Sequence, residues 1–400
     1  MSDKKSEKRR DNRNRILNTG ESQRENGLYV FKYTVDGKPK FAYSWRLVET
    51  DRLPKGKRPC KPLREKEREI MRDIEDGIDH IGKKMTVSQL YAKFIRCRQD
   101  VRVGTIKARG QLVRILSEDN IGTCQIGRVK PSDAREWVQR MKEKGFAFST
   151  ISNHKRSLKA AFYLAIADDL IRKNPFDFKL TSVIRNDRKP REAMNREQQM
   201  ALLDFMRKDA VYSRYVNAAV ILLESGLRIS EMCGLTDADI DFEKRLVSID
   251  HQLVRAAGGG YVVEEPKTES GKRVIYMTDR MMSALMAAME SRPRAKYVNV
   301  SGHTSFIFLN KDGLPRTGAD YDRVFRGIRG KYGKKGGIAL PRDLTPHTLR
   351  HTFCTEMAKK GMNPKALQYI MGHKDVKMTL GYYSHMDGES AAEEMQRFAK

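Results

Sequence analysis

Apolar and polar positions alternate with different periods along the chain. Tyr29, Phe31 and Tyr33, then Phe41, Tyr43 and Trp45, recur at every second position on either side of Asp36-Gly37. A period of two about such a pair predicts a β-hairpin, because glycine adopts the positive φ of a tight turn. A helix over about 63–80 is expected to follow and to pack on this small sheet. Thr86-Val87-Ser88-Gln89 is a capping box that opens a helix running to about residue 99. Three amphipathic stretches, 105–117, 131–144 and 149–167, complete a four-helix unit without a strand signal between them. From Asn174-Pro175 to Glu192 the spacing breaks, and Arg185, Arg188, Lys189 and Arg191 gather around Pro190, which predicts a linker facing phosphate.

Asn195-Arg196-Glu197-Gln198 caps the first helix of a last region, where 246–250, 261–265 and 273–277 read as a three-stranded antiparallel sheet. Gly258-Gly259-Gly260 reads as a plain loop between two of its strands, since no helix follows to make a phosphate cradle. The fold class is multidomain, mainly α with small β-sheets. Its parts are an N-terminal small sheet plus helix (1–82), a helical domain (83–175), a linker (176–192) and a mixed α+β domain (193–400).

The last third concentrates the chemistry. Thr345 suits a helix N-cap, Pro346 the first helical position, and Gly361 a stop, so one helix spans the stretch between them. His347, Arg350 and His351 share one face of it, while Leu349, Phe353 and Met357 anchor the other. Two imidazoles and a guanidinium make a poor core surface, so this stripe lines a site. Zinc is not expected, because Thr348 stands where a metalloprotease helix needs glutamate. Further back, the apolar run 216–223 ends at Gly226, which holds Arg228 at a helix junction. Arginines, histidines and a tyrosine without a carboxylate cluster fit attack on a phosphodiester by a tyrosine hydroxyl. Guanidinium forks bind the non-bridging oxygens and stabilise their growing charge, with no metal or other cofactor required.

Charge points the same way. The 400 residues carry a net charge of +27 and an isoelectric point near 9.8, which implies a polyanionic partner such as a phosphate backbone. A membrane surface would compete, but no basic amphipathic helix or lipidation signal accompanies the charge. The five cysteines are scattered singly, so neither a disulfide framework nor a zinc knuckle follows. The N-terminus is charged and lacks an apolar run, which predicts neither a signal peptide nor a membrane span.

Gly226-Leu227-Arg228-Ile229-Ser230-Glu231, Pro266-Lys267-Thr268, His347-Thr348-Leu349-Arg350-His351, Gly372-His373 and Tyr383-Ser384-His385 resemble, in order and spacing, the signature segments of the tyrosine recombinases. The preceding half resembles the integrases of conjugative transposons in its domain plan. The resemblance implies a site-specific recombinase that integrates and excises a mobile element through a covalent 3′-phosphotyrosine and strand exchange. Free tyrosine has a pKa near ~10, so the nucleophile needs a base.

By resemblance Tyr383 is the nucleophile and His347 the base. Arg228 and Arg350 clamp the phosphate, Lys267 protonates the leaving 5′-oxygen, and His373 hydrogen-bonds the scissile phosphate. Glu231 orients Arg228 and His351 supports, while Lys272 and Arg273 are the nearest decoys for Lys267. The ending tyrosine, small residue, histidine selects Tyr383, with Tyr382 left as the alternative. Lys32, Lys38, Lys40 and Arg46 are expected on the exposed face of the N-terminal sheet, as an arm-site contact. Lys107, Arg109, Arg114, Lys155, Arg156 and Lys159 on the helices, and Arg188 and Lys189 in the linker, are further expected DNA contacts. Expected partners are double-stranded DNA attachment sites, a homo-tetramer on that DNA and a small excisionase, in the bacterial cytoplasm and with no membrane. Alternatives on the same fold are a type IB topoisomerase and a catalytically silent DNA-binding regulator.

Overall fold

A computed structural model describes residues 9–35, 37–75, 84–98, 101–187, 192–256, 258–266, 269–294, 296–334, 337–383 and 395–396. Within them, residues up to 98 and from 108 to 187 form one compact unit, and residues 101–107 with those from 192 onward form another. Lys267, Arg188 and Lys189 lie outside the described residues, as do Ser384 and His385.

In the first unit, β1 (Glu21–Gln23), β2 (Tyr29–Val35) and β3 (Lys38–Ser44) form an antiparallel sheet in that order. Helix α1 (Leu63–Glu75) packs on it around buried Leu17, Tyr29, Phe31, Leu47 and Leu63. Arg15 closes the edge, donating to Asp11, Asp51 and the Tyr29 hydroxyl at 2.8 Å each. The β2–β3 register sets Lys32 opposite Phe41, Tyr33 opposite Lys40 and Val35 opposite Lys38. Directly opposed residues share a face and successive ones alternate. The expectation of a single lysine face is therefore corrected: Lys38 and Lys40 stand on the side of Phe31 and Tyr33, and Lys32 on the other with Phe41 and Tyr43. Arg46 is half-buried, its Nη2 donating to the Cys60 carbonyl at 2.6 Å.

The same unit holds α2 (Val87–Arg96), α3 (Val103–Glu118, whose first residues belong to the second unit), α4 (Asn120–Thr123), α5 (Pro131–Glu143) and α6 (Phe148–Ala167). The Thr86 capping box forms as its sequence dictates. Trp137, Phe162 and Phe176 meet in the core, and Ile184 joins them, so the segment read as linker packs on the helices through Ile184. Its apolar residues, Phe176, Phe178, Leu180, Val183 and Ile184, change spacing from two to three to one and so show no single period, which is why it read as a break. Two expected DNA contacts turn inward. Buried Arg109 donates to the Arg98 carbonyl at 2.8 Å and lies over the Phe94 ring, and buried Lys155 donates to the Phe178 carbonyl at 2.6 Å. Lys159 pairs with Asp177 at 2.5 Å, while Lys107, Arg114 and Arg156 are exposed.

The second unit comprises α7 (Arg196–Lys208), α8 (Val216–Ser225), α9 (Ile229–Gly234), β4 (Ile240–Asp241), β5 (Leu246–Ile249), β6 (Gln252–Arg255), β7 (Tyr261–Glu264), β8 (Arg273–Tyr276), α10 (Asp279–Glu290), α11 (Gly318–Tyr332), α12 (Pro346–Lys359), α13 (Pro364–Met371) and α14 (Val376–Leu380). Helix α8 is apolar nearly all round and sits in the core between α10 and α12. The predicted three-stranded sheet is corrected. Strands β4, β5 and β8 form one sheet, and β7 pairs instead with β6, a strand the sequence reading missed. The glycine loop closes that local hairpin, and a hairpin partner five residues away wins over a distant one because its loop costs less entropy to close.

Candidate active site

Gly226 ends α8 in the left-handed conformation, with φ 62°, and a β-carbon there would lie 2.4 Å from Phe353 Cδ1. Only glycine fits both demands. The turn places Arg228 at the N-cap of α9, where Glu231 accepts from the Arg228 backbone N–H at 2.9 Å and from its Nη1 at 2.5 Å. Arg228 Nη2 donates to the Gly372 carbonyl at 2.9 Å, past the end of α13.

Helix α12 starts at Pro346 behind the Thr345 cap and turns Arg350 inward. Its Nη1 donates to the Gly226 carbonyl and its Nη2 to the Met371 carbonyl, each at 2.5 Å. Burial, with Arg228 nearby, pushes Arg350 down to about 9. Glu231 lies 4.0 Å from it. Burial would raise the Glu231 carboxyl, yet Arg273, Arg228 and Arg350 outweigh burial and hold it at about 2.

His373 follows Gly372, is buried, and has Nδ1 3.0 Å from the Thr379 hydroxyl. Burial and then the arginines lower it to about 4, so the ring is neutral near pH 7. A Thr379 hydroxyl donating to Nδ1 leaves the ring proton on Nε2, the nitrogen free to donate to a phosphate oxygen. His347 is exposed on the first turn of α12, one turn before Arg350. His351 Nδ1 shares a hydrogen bond with the Tyr382 hydroxyl at 3.2 Å, with ring centroids 5.1 Å apart. The Tyr383 hydroxyl instead donates to the Met362 carbonyl between α12 and α13.

Arg228, Arg350, His373 and Glu231 thus converge, as expected from sequence. Arg273, set aside as a decoy for Lys267, proves to be part of the cluster. Its Nη2 and Nη1 donate to Glu231 at 2.8 and 3.3 Å and its Nε to the Ile370 carbonyl at 2.7 Å, with the side chain fully buried. The signal was present: β8 alternates buried Arg273, exposed Val274, buried Ile275, exposed Tyr276. A charge in register with the core face of a strand needs a buried counter-charge.

Guanidinium groups beside a neutral imidazole and a phenol suit phosphodiester attack. The sequence pattern of the phage integrase family matches residues 192–389, and that of the DNA binding domain of Tn916 integrase matches residues 5–74. Over 396 residues the chain is 52% identical to the transposase from transposon Tn916 of Enterococcus faecalis, covering 99% of this chain and 98% of the relative. The chain belongs to the phage integrase family. It is a tyrosine recombinase, an enzyme that breaks and rejoins DNA. The transposase from transposon Tn1545 of Streptococcus pneumoniae is 51% identical with the same coverage. A solved structure of the Tn1549 transposon integrase with a circular intermediate DNA matches with a TM-score of 0.75 and 51% identity, over 78% of this chain and 99% of that one. A lambda integrase dimer on its core site, 15% identical, matches over 93% of this chain and 98% of that one with a TM-score of 0.55 and shares the fold. Among the described residues no helix is long and apolar enough to cross a membrane.

Proposed function

We propose that this recombinase integrates and excises a mobile element, with Tyr382 as its nucleophile. One observation carries the choice: the Tyr382 hydroxyl sits on His351, one residue after Arg350, whereas the Tyr383 hydroxyl is engaged by the Met362 carbonyl. Tyr382 also lies close enough to Arg350 for a charge on its phenol to favour the guanidinium. The Tn1549 integrase adds support. Two of its DNA complexes carry single substitutions, arginine to lysine and tyrosine to phenylalanine. The two substituted residues are as far apart in that chain as Arg228 and Tyr382 here, one residue closer than Arg228 and Tyr383. The sequence expectation of Tyr383 rested on the residues that follow it, Ser384 and His385.

In the proposed step the phenolic oxygen attacks phosphorus, the bond to the 5′-oxygen breaks, and the protein becomes linked to the 3′-phosphate. His347 takes the phenol proton and Lys267 supplies one to the 5′-oxygen; Arg228, Arg350 and His373 hold the non-bridging oxygens. Attack by a 5′-hydroxyl of the partner duplex reverses the step without ATP. Exchange between two duplexes breaks four strands, each consuming one tyrosine, so four copies assemble on the paired attachment sites in the bacterial cytoplasm, with an excisionase directing excision. The open face of the N-terminal sheet, with Lys32, exposed Phe41 and Tyr43, and Arg24 over the Tyr43 ring at 5.3 Å, suits an arm-site contact.

A nicked suicide duplex carrying an end of the element tests the reading. The parent chain and Tyr383→Phe are expected to give a detergent-stable DNA adduct and Tyr382→Phe none. No adduct from the parent would remove the recombinase step, and an adduct from Tyr382→Phe would return the role to Tyr383.

A further inference from the structure

We infer that Arg273 is a positioning residue that sets the phosphate-binding groups from behind, an inference that rests on the recombinase reading above. Three arginines surround Glu231, and their exposure separates their roles. The Arg228 side chain is 32% exposed, Arg350 8% and Arg273 0%. A fully buried guanidinium cannot touch a DNA phosphate. Its donors are engaged by Glu231, the Ile370 carbonyl and, through Nη1 at 3.0 Å, the Gly271 carbonyl.

Each of those acceptors belongs to a different element of the site. Glu231 holds Arg228. Ile370 is at the end of α13, directly before Met371 and Gly372, whose carbonyls receive Arg350 and Arg228, and before His373. Gly271 lies at the base of the connection whose earlier residues include Lys267. Arg273 therefore joins α9, α13 and β8 through one planar fork, and the fork's rigidity is what a lysine ammonium would lack. Gly372 records how close the fit is. It has φ 59°, and a β-carbon on it would come 2.9 Å from Arg273 Nη1 and 3.3 Å from the Ser270 carbonyl. The guanidinium packs closely against the turn that precedes His373.

Electrostatics adds a second effect. With Arg228, Arg273 and Arg350 charged and Glu231 ionised, the cluster carries a surplus of two positive charges. A phosphodiester brings one negative charge and its five-coordinate transition state two, so the buried Arg273 helps match the cluster to the transition state rather than to the substrate.

The test uses the full chain on a nicked suicide duplex under single turnover. Arg273→Met is expected to slow cleavage about 100-fold with DNA affinity within about threefold of the parent. Arg273→Lys keeps the charge but can reach only some of the three partners, and is expected to lose about tenfold. A methylphosphonate at the scissile position removes the charge that the cluster answers, so there the gap between the parent and Arg273→Met is expected to narrow to about threefold. A gap equally wide on both substrates would mean a scaffold role and overturn the inference, as would a parental rate for Arg273→Met. Should Arg273→Met fail to fold, Arg273→Lys decides: a parental cleavage rate overturns the inference and a tenfold loss with retained DNA binding supports it. The parent's own adduct is the control, since its absence would count against the recombinase reading and not against Arg273.

Discussion

The arginine cluster and the open face of the N-terminal sheet both present positive charge, under opposite conditions. Arg228, Arg273 and Arg350 are fixed by Glu231 and by the carbonyls of Gly226, Ile370, Met371 and Gly372, in partly or fully buried positions. Lys32 stands exposed between aromatic neighbours, with Phe41 48% and Tyr43 42% exposed. Charge held in low dielectric acts strongly at short range and needs no reorganisation when a reaction charge appears. Charge held in water acts through counterion release, giving affinity that falls with salt. Under the proposed function the same residue types support chemistry in one region and attachment in the other.

The largest expected effect breaks the cluster itself. Arg350→Ala removes a buried donor from two carbonyls and is expected to slow single-turnover cleavage by about 100-fold to 1000-fold. A comparable cleavage defect from Lys32→Ala, measured at saturating protein, would erase the contrast between the regions.

Acid should weaken the cluster before it weakens the sheet face. Glu231 is held at about 2 against 4.5 in the unfolded chain, so its stabilisation is complete above pH 4.5 and disappears as pH falls through 2. That shift corresponds to about 3 kcal/mol. His373 adds to the loss from higher pH. Lowered to about 4 from 6.5, it stays neutral in the fold while the unfolded chain takes up a proton, so stability declines from pH 6.5 down to about 4. Calorimetric unfolding of the parent and of Glu231→Gln between pH 7 and 3 checks this; the variant is expected to be weaker at pH 7 and to have a flatter acid limb.

A smaller effect sharpens the role of the neutral imidazole. Thr379→Val keeps the shape but removes the hydroxyl at Nδ1, so the His373 tautomer is no longer fixed, and cleavage is expected to fall about tenfold. An unchanged rate would mean that the Thr379 bond only packs α14.

The smallest effect belongs to the sheet. Lys32→Ala is expected to weaken arm-site binding uniformly across sequences and to lower the salt slope by about one, without touching cleavage. Filter binding over a salt series reads it, and a sequence-dependent loss would point to base contact instead.

Local rules carried the sequence reading where the partners are neighbours. The Thr86, Asn195 and Thr345 caps, the Asp36-Gly37 hairpin, the Gly226 and Gly361 stops and the face shared by His347, Arg350 and His351 are all contained within about one helical turn or one hairpin. Such patterns fix backbone geometry through sterics and nearby hydrogen bonds, so they are legible in the string of residues. The family's signature segments located Arg228, Glu231, Arg350 and His373 for the same reason, since each segment is short.

Partners distant in the chain were a different matter. Glu231 meets Arg273 42 residues on, Arg350 meets Gly226 124 residues back and Arg228 meets Gly372 144 residues on. Strand alternation puts Arg273 on a core face but names no partner for it, so Arg273 passed for a decoy, Arg109 and Lys155 for DNA contacts, and β7 for a partner of β5 or β8. The proposed choice of Tyr382 over Tyr383 is of this kind too: adjacent residues of one type differ in what the fold sets before their hydroxyls. Sequence determined which segments turn, coil and cap, because those depend on the chain's own next few residues; the tertiary structure decided which charges are buried together, because desolvation depends on everything packed around them.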